Sequence, residues 1–500
     1  MPESLPNVKA LILVSLLCSA NLSAAEPARP TSDPLVRTVD LNVGELQEIE
    51  LVGGKKATVK LIDLKETRDD LRNAVRVAEV TVEINGRKVT LVSGNYRLPV
   101  TVAGVRIDCP VTKGFRVGTS TGNVWGLDKD ARLRVWAEGS PLMPSGTFRY
   151  PAKQRWFASG TQMANEPVHV DGGELPGNKP VYYHYGLDIG GAEALVEVVA
   201  ATDGEVVSSG KDAIADFATT PVKPRYDVVY LRDARGWYYR YSHLHTIDPA
   251  IKLGATVKMG QRVGLLGKEG GSGGWSHLHF DITAKQPSGK WGIVEGYAFL
   301  WEAYLEEYKP KLLAVARPHH LAKVGEKIVL DAGRSWTADT GKKTFEWTFT
   351  NGTTAPGERV ERTYDKPGVY SELLKLTDAA GNEDYDFAVV NVLDKDHPDR
   401  LPPSIHAAYS PTFGIKAGDD VTFLVRTFRT VEGKETWDFG DGSPKVEVRS
   451  DGNTVPLAKD GYARTVHQYG KPGHYLVRVE RTNGRGETAF ARLHVRVGLE

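Results

Sequence analysis

Three short segments in the middle of this 500-residue chain concentrate residue types that bind metals and transfer protons. They are His184-Tyr-Gly-Leu-Asp188, Tyr241-Ser-His243-Leu-His245 and His277-Leu-His279-Phe-Asp281. The third segment alternates polar and apolar residues as a β-strand does, so His277 and His279 are predicted to project from one face. Two imidazoles on one face of a core strand carry a desolvation cost unless something binds them. Zn²⁺, which imidazole nitrogens and carboxylate oxygens hold, is a good candidate.

The spacing of His184 and Asp188 would also suit one face of a helix, but Gly186 and Gly190 argue against a helix. In a loop that leads into a strand, both side chains can turn toward one point. A lone His-x-His pair is weak evidence for a metal, whereas three such segments in one β-rich domain are specific. The alternative is a set of solvated or hydrogen-bonded histidines. A catalytic zinc needs three protein ligands and leaves its fourth position to water. The sequence has no His-Glu-x-x-His motif, which excludes the common helical zinc-protease arrangement.

The elements that must position these residues are predicted to be mainly β-strands in a multidomain protein. The 52 glycines and 28 prolines suit many strands joined by turns. Alternating runs and the turn residues Asn85-Gly86 predict an N-terminal antiparallel β domain over residues 35–140. The central domain is predicted at 150–310 and ends with one amphipathic helix over Glu295–Tyr308.

Beyond the central domain the sequence repeats. Each copy has an aromatic pair and a later Pro-Gly turn, namely Trp347 and Phe349 before Pro367-Gly368, and Trp437 and Phe439 before Pro472-Gly473. The copies resemble polycystic-kidney-disease (PKD) domains, which are immunoglobulin-like β-sandwiches, and are predicted at 312–395 and 402–498. The first copy diverges, because Thr350-Asn351-Gly352 stands where Gly-Asp-Gly is expected.

The N-terminus predicts export. Residues 1–25 read as a signal peptide cleaved after Ala25, and the apolar stretch Ala10–Ala20 is too short to span a bilayer. No later segment is long and apolar enough to cross a membrane, so the mature chain is expected without a membrane span, in the periplasm or outside the cell. Equal totals of 63 basic and 63 acidic residues give no electrostatic footprint for nucleic acid.

The central domain resembles the M23 peptidases, also called LytM or lysostaphin-type zinc endopeptidases. Their pattern is His-x-x-x-Asp, then Tyr-x-His-Leu, then His-x-His, and the segments Asp203–Val207 and Val257–Gly267 resemble further family motifs. One departure stands before His277. The residues Gly273-Gly-Trp-Ser276 replace the usual Ser-Thr-Gly-Pro, and we expect this to alter the wall of the cleft.

The resemblance implies that His184, Asp188 and His279 bind zinc and that His243 and His277 are catalytic. One of the two catalytic histidines would take the proton of a water, and the other would steady the tetrahedral intermediate. The implied activity is that of a zinc metalloendopeptidase. Its implied substrates are peptidoglycan cross-bridges or stem peptides, or glycine-rich peptides.

Several residues and one other function stay open at this point. Tyr241 is either an oxyanion stabiliser or a packing residue, while His245 and His169 match nothing in the family pattern and are expected to be surface or structural. The alternative function is a non-enzymatic protein, regulatory or binding the cell wall or matrix, with a latent or structural metal site. Its PKD-like domains would bind polysaccharide or protein, and Asn178, Glu174 or another histidine would occlude the metal. The N-terminal domain could then serve as an inhibitory prosegment.

Overall fold

The computed structural model describes residues 1, 34–161, 163–164 and 181–499. The predicted signal peptide, apart from Met1, falls outside these residues, as do His169, Glu174 and Asn178. The described residues form many β-strands and one α-helix, which confirms the mainly β, multidomain fold class. Within the same residues, no helix combines the length and apolarity needed to cross a membrane.

The N-terminal domain contains two four-stranded antiparallel sheets. Its strands are β1 (Arg37–Leu41), β2 (Leu46–Glu50), β3 (Lys56–Arg68), β4 (Val75–Ile84), β5 (Arg87–Val92), β6 (Val100–Val102), β7 (Val105–Thr112) and β8 (Ala131–Ala137), with a 3₁₀ turn at Lys113–Phe115. The strand orders are β1-β8-β7-β6 and β2-β3-β4-β5. Alternate apolar residues of β4 are buried, and Asn85 and Gly86 take positive φ angles of 47° and 80° in the predicted hairpin turn.

The central domain is built around one eight-stranded sheet. Its elements are β9 (Leu187–Gly190), β10 (Glu197–Val199), β11 (Gly204–Ser209), β12 (Asp212–Ala213), β13 (Val229–Arg232), β14 (Tyr238–Ser242), β15 (Leu244–Ile247), β16 (Thr256–Val257), β17 (Arg262–Leu266), β18 (His277–Lys285), β19 (Trp291–Val294) and α1 (Tyr297–Tyr308), with a 3₁₀ turn at Phe217–Thr219. The sheet order is β12-β11-β13-β14-β18-β19, with β9 beside β18 and β16 beside β11. A smaller sheet has the order β10-β17-β15. Helix α1 confirms the predicted helix and buries its aromatic residues in the domain core.

Two sandwiches complete the chain. The first sandwich contains β20 (Leu312–Leu313), β21 (His320–Lys323), β22 (Lys327–Asp331), β23 (Trp336–Thr337), β24 (Thr344–Thr348), β25 (Thr354–Pro356), β26 (Arg359–Thr363), β27 (Gly368–Thr377) and β28 (Glu383–Leu393). The second sandwich contains β29 (Ser404–Ser410), β30 (Asp420–Phe428), β31 (Glu435–Asp438), β32 (Val446–Val448), β33 (Ala463–Gln468), β34 (Gly473–Thr482) and β35 (Thr488–Val497). Trp347 and Trp437 are fully buried in the two cores, as their repeat positions predict. Strand β27 pairs in parallel with β35, so strands of both sandwiches share one sheet.

Candidate metal centre and active site

Strand β18 brings the three histidine segments together because it has a different partner on each side. On one side His279 lies opposite Asp188 of β9. On the other side it lies opposite Ser242, the last residue of β14, and His243 follows directly. The cross-strand distance in an antiparallel pair is about 5 Å, so this register alone places the side chains within reach of one another.

His184 reaches the same point from a tight turn. Gly186 takes a φ of 74°, a conformation that side chains other than glycine rarely adopt. A Cβ at Gly186 would lie only 2.9 Å from both Asp281 Cβ and the carbonyl oxygen of Phe280. Glycine at this position therefore permits both the positive φ of the turn and the close approach of the turn to β18.

The ligand atoms of His184, Asp188 and His279 all lie within 4.8 Å of one another. His184 Nε2 is 3.0 Å from Asp188 Oδ2, and His279 Nδ1 is 2.9 Å from Asp188 Oδ1. Ligand atoms held at about 2 Å from one tetrahedral zinc lie about 3.3 Å apart. Nε2 of buried His184 also makes no hydrogen bond among the described residues despite its 3.0 Å approach to Asp188, a costly state that a metal at Nε2 would relieve. The three residues therefore fit a zinc ion.

The charges of the cluster favour an ionised carboxylate. Burial by itself would raise the pKa of Asp188, but the neighbouring histidines outweigh burial and hold it well below its usual value. Burial likewise lowers the pKa of His279, yet hydrogen bonds to Asp188 and Asp281 give a net rise. His279 Nε2 lies 3.2 Å from Asp281 Oδ2 and donates to it, which leaves Nδ1 for a metal.

His277 and His243 flank the cluster as neutral imidazoles with matching tautomers. Burial lowers the pKa of both rings, that of His277 to about 3. His277 Nδ1 donates to the carbonyl oxygen of Trp275 at 3.0 Å, and His243 Nδ1 donates to that of Glu269 at 2.6 Å. In each ring the Nε2 lone pair stays available, and His277 Nε2 is 3.4 Å from Asp188 Oδ2. The ring centroids of His243 and His277 are 4.6 Å apart.

Two residues that sequence reasoning did not identify support His243. The carboxylate of Asp227 accepts from the backbone N–H of His243 at 2.9 Å and lies 3.6 Å from its Nδ1. Arg225 forms a bidentate pair with Asp227. Because His243 Nδ1 already donates to Glu269, the 3.3 Å approach of Arg225 to Nδ1 is not a hydrogen bond. His243 also adopts a φ of 66°, so this loop holds the ring in an unusual backbone conformation.

The site opens into a chamber of about 430 Å³. Its lining includes the five site residues and part of the glycine-rich segment before His277. Both sandwiches also contribute lining residues, among them Val389, Ile405, Phe490 and Arg492. The sequence predicts an altered cleft wall from the residues before His277. In the structure, both sandwiches contribute to this wall, and no motif of the central domain indicates their contribution.

Two of the remaining candidates lie apart from the chemistry. The Tyr241 hydroxyl accepts from the backbone N–H of Ala201 at 2.8 Å inside the core, so Tyr241 is a packing residue. His245 is exposed and lies 3.7 Å from Glu193, whose carboxylate pairs with Lys268. Asp281 was detectable in the sequence, since it continues the alternation of His277 and His279, whereas Asp227 has no pattern that connects it to them.

Together these features define a mainly β protein with a buried His/Asp cluster suited to a metal. The chain matches three family models: peptidase family M23 over residues 182–289, and PKD domain over residues 310–392 and 405–497. The chain therefore carries an M23 peptidase-family domain followed by two PKD domains, as the sequence motifs predict. The first and second sandwiches correspond to these PKD domains.

Solved structures similar to this chain include one described as an M23 protein. A mutant catalytic domain of the prophage-encoded M23 protein EnpA from Enterococcus faecalis is 23% identical, with a TM-score of 0.17 over 25% of this chain and 86% of that chain. Helicobacter pylori Csd3 is 18% identical, with a TM-score of 0.21 over 47% of this chain and 57% of that chain.

Proposed function

We propose that this protein is an exported zinc metalloendopeptidase that hydrolyses peptide bonds in peptidoglycan cross-bridges or stem peptides. One observation carries the proposal. Three ligand atoms of His184, Asp188 and His279 lie within 4.8 Å of one another, beside two histidines that are not needed as ligands. The M23 match over residues 182–289 supports peptide hydrolysis. The apolar N-terminal segment supports export to the place where peptidoglycan is found.

His184 Nε2, a carboxylate oxygen of Asp188 and His279 Nδ1 would hold the zinc. A zinc ion held there would supply a Lewis acid for the scissile carbonyl and would lower the pKa of bound water toward 7. Asp281 orients His279 by accepting from its Nε2. The burial of the cluster keeps bulk water away, which strengthens each electrostatic contact with the substrate.

His277 and His243 would move the protons. The Nε2 lone pair of His277 faces the cluster and accepts a proton from the attacking water, while its Nδ1 stays bonded to the carbonyl of Trp275. His243 has the Asp227 carboxylate beside its Nδ1, which favours a positive charge on the ring. The proton that His277 Nε2 takes from the water would then pass to the leaving amine. His243 Nε2, after taking up a proton from solvent, would donate a hydrogen bond to the oxygen of the tetrahedral intermediate and keep that proton.

Zinc content and peptide release from purified peptidoglycan test this proposal in the full mature chain. We expect one zinc per chain for the parent, loss of zinc and release for His279→Ala, and retained zinc without release for His277→Ala. His245→Ala is the matched control, because it removes an exposed histidine of the same domain and should change neither quantity. Normal release by His277→Ala would refute the role of His277, and a parent without zinc would refute the metal centre.

A further inference from the structure

The segment that leads into His277, residues 270–276, is docked on the second sandwich. The indole of Trp275 stacks on the ring of Phe428 with centroids 4.0 Å apart and planes 7° from parallel. The edge of the His406 ring lies against the same indole at 5.7 Å. Phe428 is fully buried, so its ring gives partly exposed Trp275 a fixed surface at the contact between the two domains.

Side chains of the second sandwich also hold the backbone of this segment. Arg426 Nη1 donates to the carbonyl of Gly274 at 3.0 Å, and Asn453 Nδ2 donates to that of Gly273 at 3.0 Å. Arg426 is fully buried and its Nε is fixed by Asp451 at 2.8 Å, so its position is set by its own domain. A Cβ at Gly274 would lie 2.1 Å from Asn453 Oδ1, which explains why glycine is required at this contact.

A third hydrogen bond lies one residue before the catalytic histidine. The backbone N–H of Ser276 donates to the Tyr462 hydroxyl at 2.8 Å. That hydroxyl lies 2.8 Å from His406 Nδ1, and burial lowers the pKa of His406 to about 3, so the ring is neutral and accepts. The stack and the hydrogen bonds therefore fix the segment on both sides of the Trp275 carbonyl, the group that accepts from His277 Nδ1.

The glycine content of the segment makes this docking necessary. Four of the five residues from Gly270 to Gly274 are glycine, and such a chain loses much conformational entropy when it is ordered. Within the segment, the side chains that can be buried against a partner come chiefly from Trp275. Without the second sandwich, the residues on both sides of the Trp275 carbonyl would lose the stack and three hydrogen bonds, so this carbonyl would hold the tautomer and direction of His277 less firmly.

We propose that Phe428, Arg426 and Tyr462 of the second PKD domain are positioning residues for His277, so that this domain is part of the catalytic unit. This inference rests on the proposed peptidase function and deepens it. It differs from ordinary domain packing, of which the chain has a separate example. Tyr308 of α1 stacks on Phe413 of the second sandwich at 4.8 Å, away from the residues that lead into His277.

The first test is Phe428→Ala in the full chain, with Phe413→Ala as the matched control that removes the other stack. A shift of about 1 Å at a catalytic group can lower a rate about a hundredfold. We therefore expect kcat to fall at least about tenfold for Phe428→Ala, with KM within about twofold of the parent. Phe428→Tyr keeps the stack and should restore kcat, and Phe413→Ala should leave it unchanged. An unchanged kcat in Phe428→Ala, or an equal loss in both alanine variants, would overturn the proposal.

Tyr462→Phe is a second variant that keeps the domain core intact. It removes the acceptor for Ser276 together with the hydroxyl that His406 Nδ1 accepts from, and it should lower kcat as Phe428→Ala does. Tyr475→Phe is its control, because the Tyr475 hydroxyl donates to the Lys471 carbonyl within the second sandwich. If both variants keep the parental kcat, the hydroxyl contact has no positioning role and the proposal fails.

A readout that needs no activity separates this inference from the proposed function. Chymotrypsin can cut after Trp275 only when the segment leaves the second sandwich. The stack and its burial together make opening unfavourable, so Phe428→Ala should raise the cutting rate at Trp275 about tenfold, as followed by mass spectrometry of the zinc-free full chain. Equal cutting in Phe428→Ala and Phe413→Ala would overturn the docking even if the parent hydrolyses peptides. Faster cutting in a chain that hydrolyses nothing would keep the docking and refute only the proposed activity.

Discussion

Replacing Asp281 by Asn should weaken zinc binding without removing a ligand. Asp281 accepts from His279 Nε2 at 3.2 Å, and Arg240 Nη1 lies 3.5 Å from the same carboxylate oxygen. Loss of such a carboxylate partner lowers metal affinity about 10- to 100-fold. The hydrogen bond from His279 to Asp281 is long and the amide oxygen of Asn remains an acceptor. We therefore expect the lower end of that range, a loss of zinc affinity of about tenfold, which is about 1.4 kcal/mol.

The assay is a competition titration of the metal-free chain against a chromophoric zinc chelator. Asp233→Asn is the matched control, because Asp233 is another buried carboxylate of the central domain and pairs with Arg235 at 2.8 Å. Both variants lose a buried ion pair and should lower the melting temperature, but only Asp281→Asn should change the Kd for zinc. An unchanged Kd in Asp281→Asn would refute the coordination through His279 Nδ1. An equal change in both variants would show that affinity follows stability alone.

Three further outcomes follow from the structure. Gly186→Ala should lower the free energy of unfolding by more than about 1 kcal/mol and weaken zinc binding, because the added Cβ would press on Asp281. In the control Gly236→Ala, the glycine has a φ of 80° and the added Cβ would meet no atom within 4 Å, so stability should fall while the Kd for zinc in the same titration stays unchanged. Burial raises the pKa of Glu295 to about 7, so the folded state keeps this proton to a higher pH than the unfolded chain and stability falls as pH rises from about 4.5 to 7. Glu295→Gln should therefore melt at a higher temperature than the parent at pH 8 but not at pH 4.5. Arg492 is the one lysine or arginine among the described residues that line the chamber, so Arg492→Gln should raise KM about tenfold for peptides with a free carboxylate and leave KM unchanged for their amides.

Much of the fold and the presence of two histidines on one strand face could be predicted because the relevant information is local. The alternation in His277–Lys285 predicts a strand with two histidines on one face, and the structure contains that strand. The helix at Tyr297–Tyr308 and the turn at Asn85-Gly86 also follow from short-range patterns. The role of Asp281 was equally local, since it lies on the same face as His279. Its assignment required only that the alternation be followed one step further.

The support of His243 and the wall of the chamber could not be predicted, because both depend on long-range contacts. Asp227 acts through a backbone N–H, and an acceptor of that kind leaves no residue-type pattern in the sequence. The motif change before His277 is visible in the sequence, but its consequence depends on where Phe428 lies, and Phe428 is 153 positions further along the chain than Trp275 (428 − 275).

A glycine-rich segment that leads into a proposed catalytic residue gains much of its order from contacts outside itself. Here the central domain supplies the strand that begins at His277, and the second sandwich supplies the contacts that hold Trp275. Ordering each glycine costs about 1–2 kcal/mol, and one aromatic stack with three hydrogen bonds is of the size needed to offset part of that cost. Under the proposed mechanism, the second PKD domain is therefore a structural part of the catalytic unit rather than a separate binding module.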